Sequence, residues 1–391
     1  MLDVVVVGGG PGGLYCAWSL ASRGFHVALV EEHPIAGQPV HCTGIIAPDA
    51  FREFSIPADA ILNELHTVRF YSPSGKQFHY SPPTVEAVVI DRAQFDHRLY
   101  TMAKDAAVEV LLEWRVNRIE IDGKAVRVQC ERDEKTILAR ACVLATGASY
   151  ALHRQLGLEF PPLYLNSAQV EIPAGLARDV EIHFGSYYAP QGFAWVVPVD
   201  RDTRRFARVG VMCSTNAEGA FRRFLEGIAE EWQLDSMYDL APRKRMLPLA
   251  PISRTYGDRL LVVGDAAGLV KPTTGGGIYF SLVTAAIAAE LMAEALAKDR
   301  LSSLYLSEYE QRWRQQLGSE VRIQLLFRLI SERLDDAEID EFFDLARTEG
   351  LLSLIRNTAR FNRHHDLIRA LFRYPAARKI LLRQIVTSMV V

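Results

Sequence analysis

The sequence predicts a mixed α/β protein with a helical C-terminal region, and three observations carry that prediction. The chain opens with an apolar run, Asp3-Val-Val-Val-Val, that breaks into Gly8-Gly-Gly10-Pro-Gly-Gly13. Its middle third is a succession of short apolar runs divided by Gly, Pro and charge pairs. From about residue 301 the spacing turns helical, with Val321, Leu325, Leu326 and Leu329 as the apolar positions.

The first cluster reads as strand, tight turn, helix. Val4 to Val7 is a short continuous apolar run, as in a strand buried on both faces. Gly8 allows the tight turn, Gly10 lets a pyrophosphate approach the backbone, and Gly13 lets a helix pack closely on the strand. The helix is predicted from Leu14 to Ser22, and a phosphate at its N-terminus meets free N–H groups and the favourable dipole end. Val27 to Val30 is the second strand. Glu31 follows it at the spacing where an acidic residue accepts hydrogen bonds from an adenosine ribose. A lone glycine fingerprint is often no more than a turn; with strand, helix and Glu31 it describes a Rossmann-type dinucleotide domain.

Gly-x-Gly-x-x-Gly does not separate NAD from FAD, so the rest of the chain decides. Leu144-Ala-Thr146-Gly147-Ala148 follows another apolar run, Ala141 to Ala145, and resembles the Ala-Thr-Gly turn of two-domain FAD proteins. Gly264-Asp265 resembles their second flavin motif, which implies an Asp on a ribityl hydroxyl. Gly275-Gly276-Gly277 then opens a helix over Ile278 to Ala297. Its N-terminal N–H groups are expected at the pyrimidine edge of the isoalloxazine, where they stabilise negative charge on the reduced flavin. The chain has no second Gly-x-Gly-x-x-Gly. A dedicated nicotinamide domain is therefore not expected: NAD(P)H binds transiently, or a reduced protein or quinol supplies the electrons.

The layout resembles the p-hydroxybenzoate hydroxylase-type flavoproteins. Within them it is most similar to the geranylgeranyl reductase family, over about residues 1–330. The carriers are Gly8 to Gly13, Gln38-Pro-Val-His-Cys42-Thr-Gly44, Asp91-Arg92-x-x-Phe95-Asp96, and Gly264-Asp265-Ala-Ala-Gly268-Leu-Val-Lys-Pro272-Thr-Thr-Gly-Gly-Gly-Ile278. The family's substrate motif reads Pro-x-x-Tyr-x-Trp-x-Phe-Pro. Here Pro190, Trp195 and Pro198 match, while Phe193 and Val197 replace the Tyr and the Phe. The replacements keep the wall apolar and remove a hydroxyl. The resemblance implies an FAD enzyme that reduces C=C bonds in a polyprenyl chain, with Phe193, Trp195 and Val197 against the substrate.

Composition narrows the class further. A length of 391 residues suits two joined domains with a sizeable core. A net charge of −3 gives no argument for nucleic acid as a partner. Five cysteines, none in a Cys-x-x-Cys pair, argue against a disulfide scaffold and against a metal site. No basic stretch precedes the first apolar run, which argues against a secretory signal. No window was expected to approach the roughly 20 apolar residues that span a bilayer. A reduced, cytoplasmic setting is the expectation.

The expected architecture is α/β: a Rossmann-type FAD-binding domain (residues 1–65, 85–160 and 251–300), an inserted antiparallel-sheet substrate domain (66–84 and 161–250), and a helical C-terminal region (301–391). Strands are expected over Val126 to Cys130, Ile137 to Leu144, Ala168 to Ile172, Val180 to Phe184, Phe193 to Pro198 and Ala207 to Cys213. The tail from Arg356 to Val391 holds seven arginines and one lysine against a single acid, Asp366. Leu381/Leu382, Ile385/Val386 and Met389/Val390 recur at four-residue spacing. This reads either as a helical cap packed on the protein or as a peripheral element on anionic lipid at the membrane inner face.

Several single residues also have two readings. Cys42 corresponds to a cysteine that the resemblance implies near the flavin, as donor or relay of a proton; otherwise it packs the loop. Arg92 reaches the adenosine or pyrophosphate side of the cofactor, or it starts a surface helix. Two alternatives to lipid reduction remain: oxygen chemistry, because Gly192-Phe193-Ala-Trp195-Val-Val197-Pro198 also resembles the halogenase motif Gly-Trp-x-Trp-x-Ile-Pro, and quinone-linked electron transfer.

Overall fold

The computed structural model describes residues 1–131, 135–174, 177–229, 232 and 240–388. The first strand, Leu2–Val7, is the centre of an eight-stranded sheet. It pairs in parallel with Val27–Val30 on one side and with Thr136–Leu144 on the other. Glu109–Leu111 and Leu260–Val262 extend the parallel sheet outward. The antiparallel strands Val116–Ile121 and Val126–Cys130 attach to Thr136–Leu144. Val4, Val5 and Val6 are fully buried, because helices cover both faces of such a sheet. The helix Pro11–Ala21 lies against one of those helices, Ile278–Ala297.

Ile278–Ala297 corrects one expectation from sequence. Its 20 residues are long and apolar enough to cross a membrane, but two-thirds of that window is buried in the protein. The helix is apolar all round because Pro11–Ala21 and the long helix Ser303–Ser331 both pack on it.

The second sheet has seven strands, in the order Arg243–Pro248, Tyr164–Pro173, Arg204–Cys213, Phe193–Arg201, Val180–His183, Val68–Tyr71, Gln77–Tyr80. It is antiparallel except where Val180–His183 runs parallel to Val68–Tyr71. That pair joins two separate insertions, and the intervening chain crosses through the first domain, as a parallel pair requires.

A three-stranded sheet, Ile45–Ile46, Ala87–Ile90 and Ile61–Leu65, joins the two larger layers. Its central strand alternates by the period of two: Val88 and Ile90 enter the nucleotide-side core, Ala87 and Val89 the core of the second sheet.

Beyond Ser303–Ser331, four helices follow: Asp336–Ala346, Glu349–Thr358, His365–Arg373 and Pro375–Ser388. They share a small core in which Leu351, Leu371, Ala377 and Leu381 are buried against Ile330. Leu381 thus belongs to a packed cap. The side chains of Ile385 and Val386, and Met389 and Val390 as a whole, lie outside the described residues.

Candidate active site

The parallel strands all release their chains at one end of the first sheet, and a cavity of about 1320 Å³ begins there. This is where open α/β sheets hold ligands. Gly8, Gly10, Gly13, Glu31, Thr146, Gly147, Asp265 and Gly275 to Gly277 form its near wall.

The glycines divide by what a side chain would meet. A Cβ on Gly8 would sit 2.2 Å from the Ala145 carbonyl oxygen, and one on Gly13 would sit 2.0 Å from that of Gly8. Those two glycines let strand, turn and helix touch. A Cβ on Gly10 or Gly147 would meet nothing within 4 Å, so both leave open space in the cavity wall. The helix Pro11–Ala21 has Gly10 as its N-cap and no side-chain cap, which leaves its first-turn amides to an anion. This cradle fits the pyrophosphate of a dinucleotide.

Glu31 holds the turn as well as facing the cavity. One carboxylate oxygen accepts from the Gly9 N–H at 2.6 Å and the other from the His33 N–H at 2.9 Å. The His33 ring Nδ1 also lies 2.5 Å from that second oxygen; a carboxylate has about four acceptor positions, so one remains for a ribose hydroxyl. Gly264 differs from the other expected cofactor residues in that it does not line the cavity. Its N–H donates to Thr284 Oγ1 at 3.2 Å, and a Cβ would fall 2.5 Å from Ser281 Oγ. Its lack of a side chain lets Ile278–Ala297 approach the turn; Asp265 alone of that pair faces the cavity. Burial pushes the Asp265 carboxyl up, while Arg245 and Arg92 pull it down.

Cys42 and Arg92 come together. Cys42 Sγ accepts the Gly44 N–H at 3.3 Å and also interacts with the Arg92 guanidinium. Arg92 is the first residue of the helix Arg92–Asp105, but its side chain pairs with Asp96 at 2.8 Å, is nearly enclosed and lines the cavity. Its carboxylate partner and the sulfur both hold it in the charged form despite burial. The loop carrying Cys42 is tied across to the second sheet. Arg208, 3% exposed, donates to the Ile90 carbonyl at 3.0 Å and to that of Thr43, and pairs with Glu171 at 2.9 Å.

The cavity continues along the second sheet. Phe193, Trp195 and Val197 line it from one strand, with Phe70 and Ile182 beside them. The opposite wall comes from the C-terminal helices through Phe327, Phe343, Ile368 and Leu371, which the sequence did not reveal. His41 Nδ1, Tyr80 OH and Trp195 Nε1 are buried there without a hydrogen-bond partner. Burial, then Arg245 and Arg243, pushes His41 down to about 4. The wall is thus mostly apolar, with a few polar atoms left to a ligand.

A fold of this kind with such a cavity defines a flavoprotein oxidoreductase, and the comparisons agree. Residues 3–349 match the lycopene cyclase protein family. Digeranylgeranylglycerophospholipid reductase 2 of Methanothermobacter thermautotrophicus is 30% identical over 390 residues, covering 97% of this chain and 98% of the relative. A geranylgeranyl bacteriochlorophyll reductase-like protein from Thermoplasma acidophilum superimposes with a TM-score of 0.83, 23% identity and coverage of 97% and 98%. The halogenase PltM in complex with FAD shares the fold, with a TM-score of 0.71, 14% identity and coverage of 98% and 92%. The chain belongs to the geranylgeranyl reductase family of FAD-dependent oxidoreductases.

Proposed function

We propose that the protein binds FAD and reduces C=C bonds in the polyprenyl chains of a lipid, of the class named for its digeranylgeranylglycerophospholipid reductase relatives. One observation carries this reading: a single cavity runs from the glycine cradle, past Cys42, along a long apolar wall. Burying each CH₂ contributes about 0.8 kcal/mol, so a multi-isoprene chain needs few polar contacts. An unbranched apolar wall also lets the chain slide, which brings successive double bonds to one reacting position.

Reduced FAD, when bound, supplies a hydride to one alkene carbon. The protein's part is alignment, dryness and the matching proton. An isolated alkene has no carbonyl to stabilise developing charge, so the proton must arrive with the hydride or before it. Cys42, held by Gly44 and Arg92, is the candidate acid. Gly8, Gly10, Gly13, Glu31, Thr146, Gly147, Asp265 and Gly275 to Gly277 hold the cofactor in this reading; Phe193, Trp195 and Val197 hold the substrate.

The electron donor in this reading is NAD(P)H bound transiently, a reduced protein or a quinol. Anaerobic mixing of oxidised protein with each in turn discriminates them by flavin bleaching. The reading also carries a location at the cytoplasmic face of the membrane. Arg356, Arg360, Arg363, Arg369, Arg373, Arg378 and Lys379 are exposed around the C-terminal helices and would face anionic headgroups.

The test is anaerobic. The flavoprotein is reduced chemically, geranylgeranyl lipids are added, and flavin reoxidation and product mass are followed together. Reoxidation with a matching gain of hydrogen pairs is the expected result. A flavin that stays reduced until oxygen is admitted would move the protein to oxygen chemistry instead.

A further inference from the structure

Lys271 stands in the turn between Asp265 and Ile278, 3% exposed and lining the cavity. Its backbone is locked to the glycine turn in both directions. The Lys271 N–H donates to the Gly276 carbonyl at 3.1 Å, and the Gly275 N–H donates to the Lys271 carbonyl at 2.8 Å. Its side chain folds over the same turn, so that a Cβ on Gly276 would lie 2.9 Å from Lys271 Cε.

The ammonium has only neutral partners among the described residues. Nζ donates to the Phe361 carbonyl at 2.9 Å, reaches Asn362 Oδ1 at 3.5 Å, and sits 3.9 Å from the centre of the Phe361 ring. Glu320 is the acid that acts on it, and only from a distance. That carboxylate is already occupied by Gln324 Nε2 at 2.7 Å and by the His365 and His364 N–H groups. Asp265, on the other side of the turn, answers to Arg245 and Arg92 instead. Burial pushes the Lys271 ammonium down to about 7, as follows for a desolvated cation without a counter-ion.

A buried, unneutralised cation is costly, and it stands where the amide end of the helix Ile278–Ala297 also presents positive charge. Two positive groups therefore converge on the Gly275–Gly277 wall. Asp265 Oδ1 lies against Gly277 at the helix end, where a Cβ would sit 2.5 Å from it, whereas the Lys271 ammonium has no carboxylate in direct contact among the described residues. What would complete the site is an anion that arrives with the chemistry and leaves when it is over.

We propose that Lys271 is the counter-charge of the reduced flavin: with the helix amide end, its ammonium answers the negative charge that the isoalloxazine gains on taking up two electrons and one proton. The inference rests on the FAD reading of the cavity. A preorganised charge in a dry site stabilises developing charge far more than water does. Lys271 thereby favours the reduced cofactor over the oxidised one and leaves oxidised FAD binding largely to the glycine cradle.

The test uses full-length protein loaded with FAD, comparing wild type with Lys271→Gln, Lys271→Met and Lys271→Arg. Gln removes the charge and keeps an N–H donor for the Phe361 carbonyl; Arg keeps the charge. The midpoint potential is read by dye equilibration. Sulfite affinity is read from flavin absorbance, since sulfite addition at N5 places negative charge on the same ring edge. Gln and Met are expected to weaken reduced FAD relative to oxidised FAD by about tenfold or more, about 30 mV for a two-electron couple, and to weaken sulfite binding in parallel. Arg is expected to retain most of both. Unchanged potential and sulfite affinity in FAD-loaded Gln protein overturns the proposal. So does loss of oxidised FAD from the Gln variant, which would make Lys271 a builder of the site. Failure of wild type to bind FAD would instead sink the flavin reading itself.

Discussion

Arg208, on the second sheet, donates a guanidinium hydrogen bond to the backbone carbonyl of Thr43, one residue beyond Cys42. A Cβ on Gly44, which adopts φ +71, would lie 2.6 Å from the same Arg208 nitrogen, so the loop closes on the arginine without room for a side chain. Glu171 bridges Arg208 to Arg201, and Arg201 reaches Asp91, the N-cap of the helix that carries Arg92. Cys42, the candidate acid, and Arg92, which contacts its sulfur, are therefore fixed from the second sheet by one ionic chain.

Removing the centre of that chain is expected to be severe. Arg208→Met leaves Glu171 to Arg201 alone and the Thr43 and Ile90 carbonyls without this donor, a loss of about 2–3 kcal/mol from buried groups left unsatisfied. Lysine cannot span three acceptors with one ammonium, so Arg208→Lys recovers little. Urea unfolding of the two variants decides the matter; a loss below about 1 kcal/mol in both would show that the loop is held by other contacts.

The fingerprint glycines separate folding from cofactor binding. Gly8→Ala puts a methyl group into the Ala145 carbonyl at a φ of +111, and is expected to cost about 3 kcal/mol or more. Gly10→Ala meets no protein atom within 4 Å and is expected to fold normally. Its methyl group occupies cavity space, so FAD affinity is expected to fall at least tenfold. Thermal melts of the apoproteins and FAD titration check both arms. An unimpaired FAD affinity in Gly10→Ala would show that the cofactor does not pass that position.

The flavin half of the site was legible because its constraints are local. A glycine at φ +111, an acid after a strand and a glycine turn before a helix leave marks in a few residues each. Other features depend on tertiary placement. Phe327, Phe343 and Ile368 show only as apolar positions on helices, and nothing in their spacing says that they face a cavity. Lys271 was visible within its motif, but its burial follows from the Phe361 segment, some 90 residues on, folding over it. The apolar helix Ile278–Ala297 gives the same composition whether it meets lipid or two other helices. Gly264 shows how one motif residue can serve turn geometry, since its lack of a side chain makes room for Ser281.

His364 gives the fold an acid sensitivity. It is hydrogen-bonded to Thr273 Oγ1 at 2.7 Å and to the Phe361 carbonyl at 3.1 Å, and burial, then Lys271, pushes it down to about 3. The unfolded chain, with an ordinary value of 6.5, binds this proton first as pH falls. Stability is therefore complete above 6.5 and declines between 6.5 and about 3, by about 1.4 kcal/mol per pH unit for this group. Urea midpoints across that range are expected to fall in wild type, with a shallower slope in His364→Gln. Parallel slopes would assign the sensitivity to other groups.

The membrane reading has its own test. Arg369, Arg373 and Lys379 are exposed, and each cation near an anionic bilayer contributes about 1 kcal/mol. Because Leu371 and Leu381 belong to the packed cap, truncation would confuse unfolding with lost binding. Reversing the three charges to Glu leaves those contacts in place. Sedimentation with phosphatidylserine-containing vesicles is expected to be lost while the thermal melt is retained. Equal sedimentation of both proteins would confine the tail to a structural cap.

The apolar wall can be tested from behind, starting at Gly210, which does not line the cavity. A Cβ on Gly210 would lie 2.4 Å from Trp195 Cζ2 and 2.9 Å from Gln169 Cβ, so Gly210→Ala cannot be accommodated unless the indole moves. The backbone of the neighbouring strand holds Trp195 in register with Gly210, which leaves the cavity side as the free direction. The variant is expected to bind FAD normally and to lose polyprenyl turnover several-fold, with the greater loss for longer chains. Trp195→Phe removes the clashing ring atoms, and the double variant Gly210→Ala/Trp195→Phe is expected to recover turnover relative to Gly210→Ala alone. Such recovery requires that the indole, displaced into the cavity, be the obstacle. If the double variant is no better than Gly210→Ala, the defect lies in the sheet, and the wall formed by Phe193, Trp195 and Val197 is not where the chain runs.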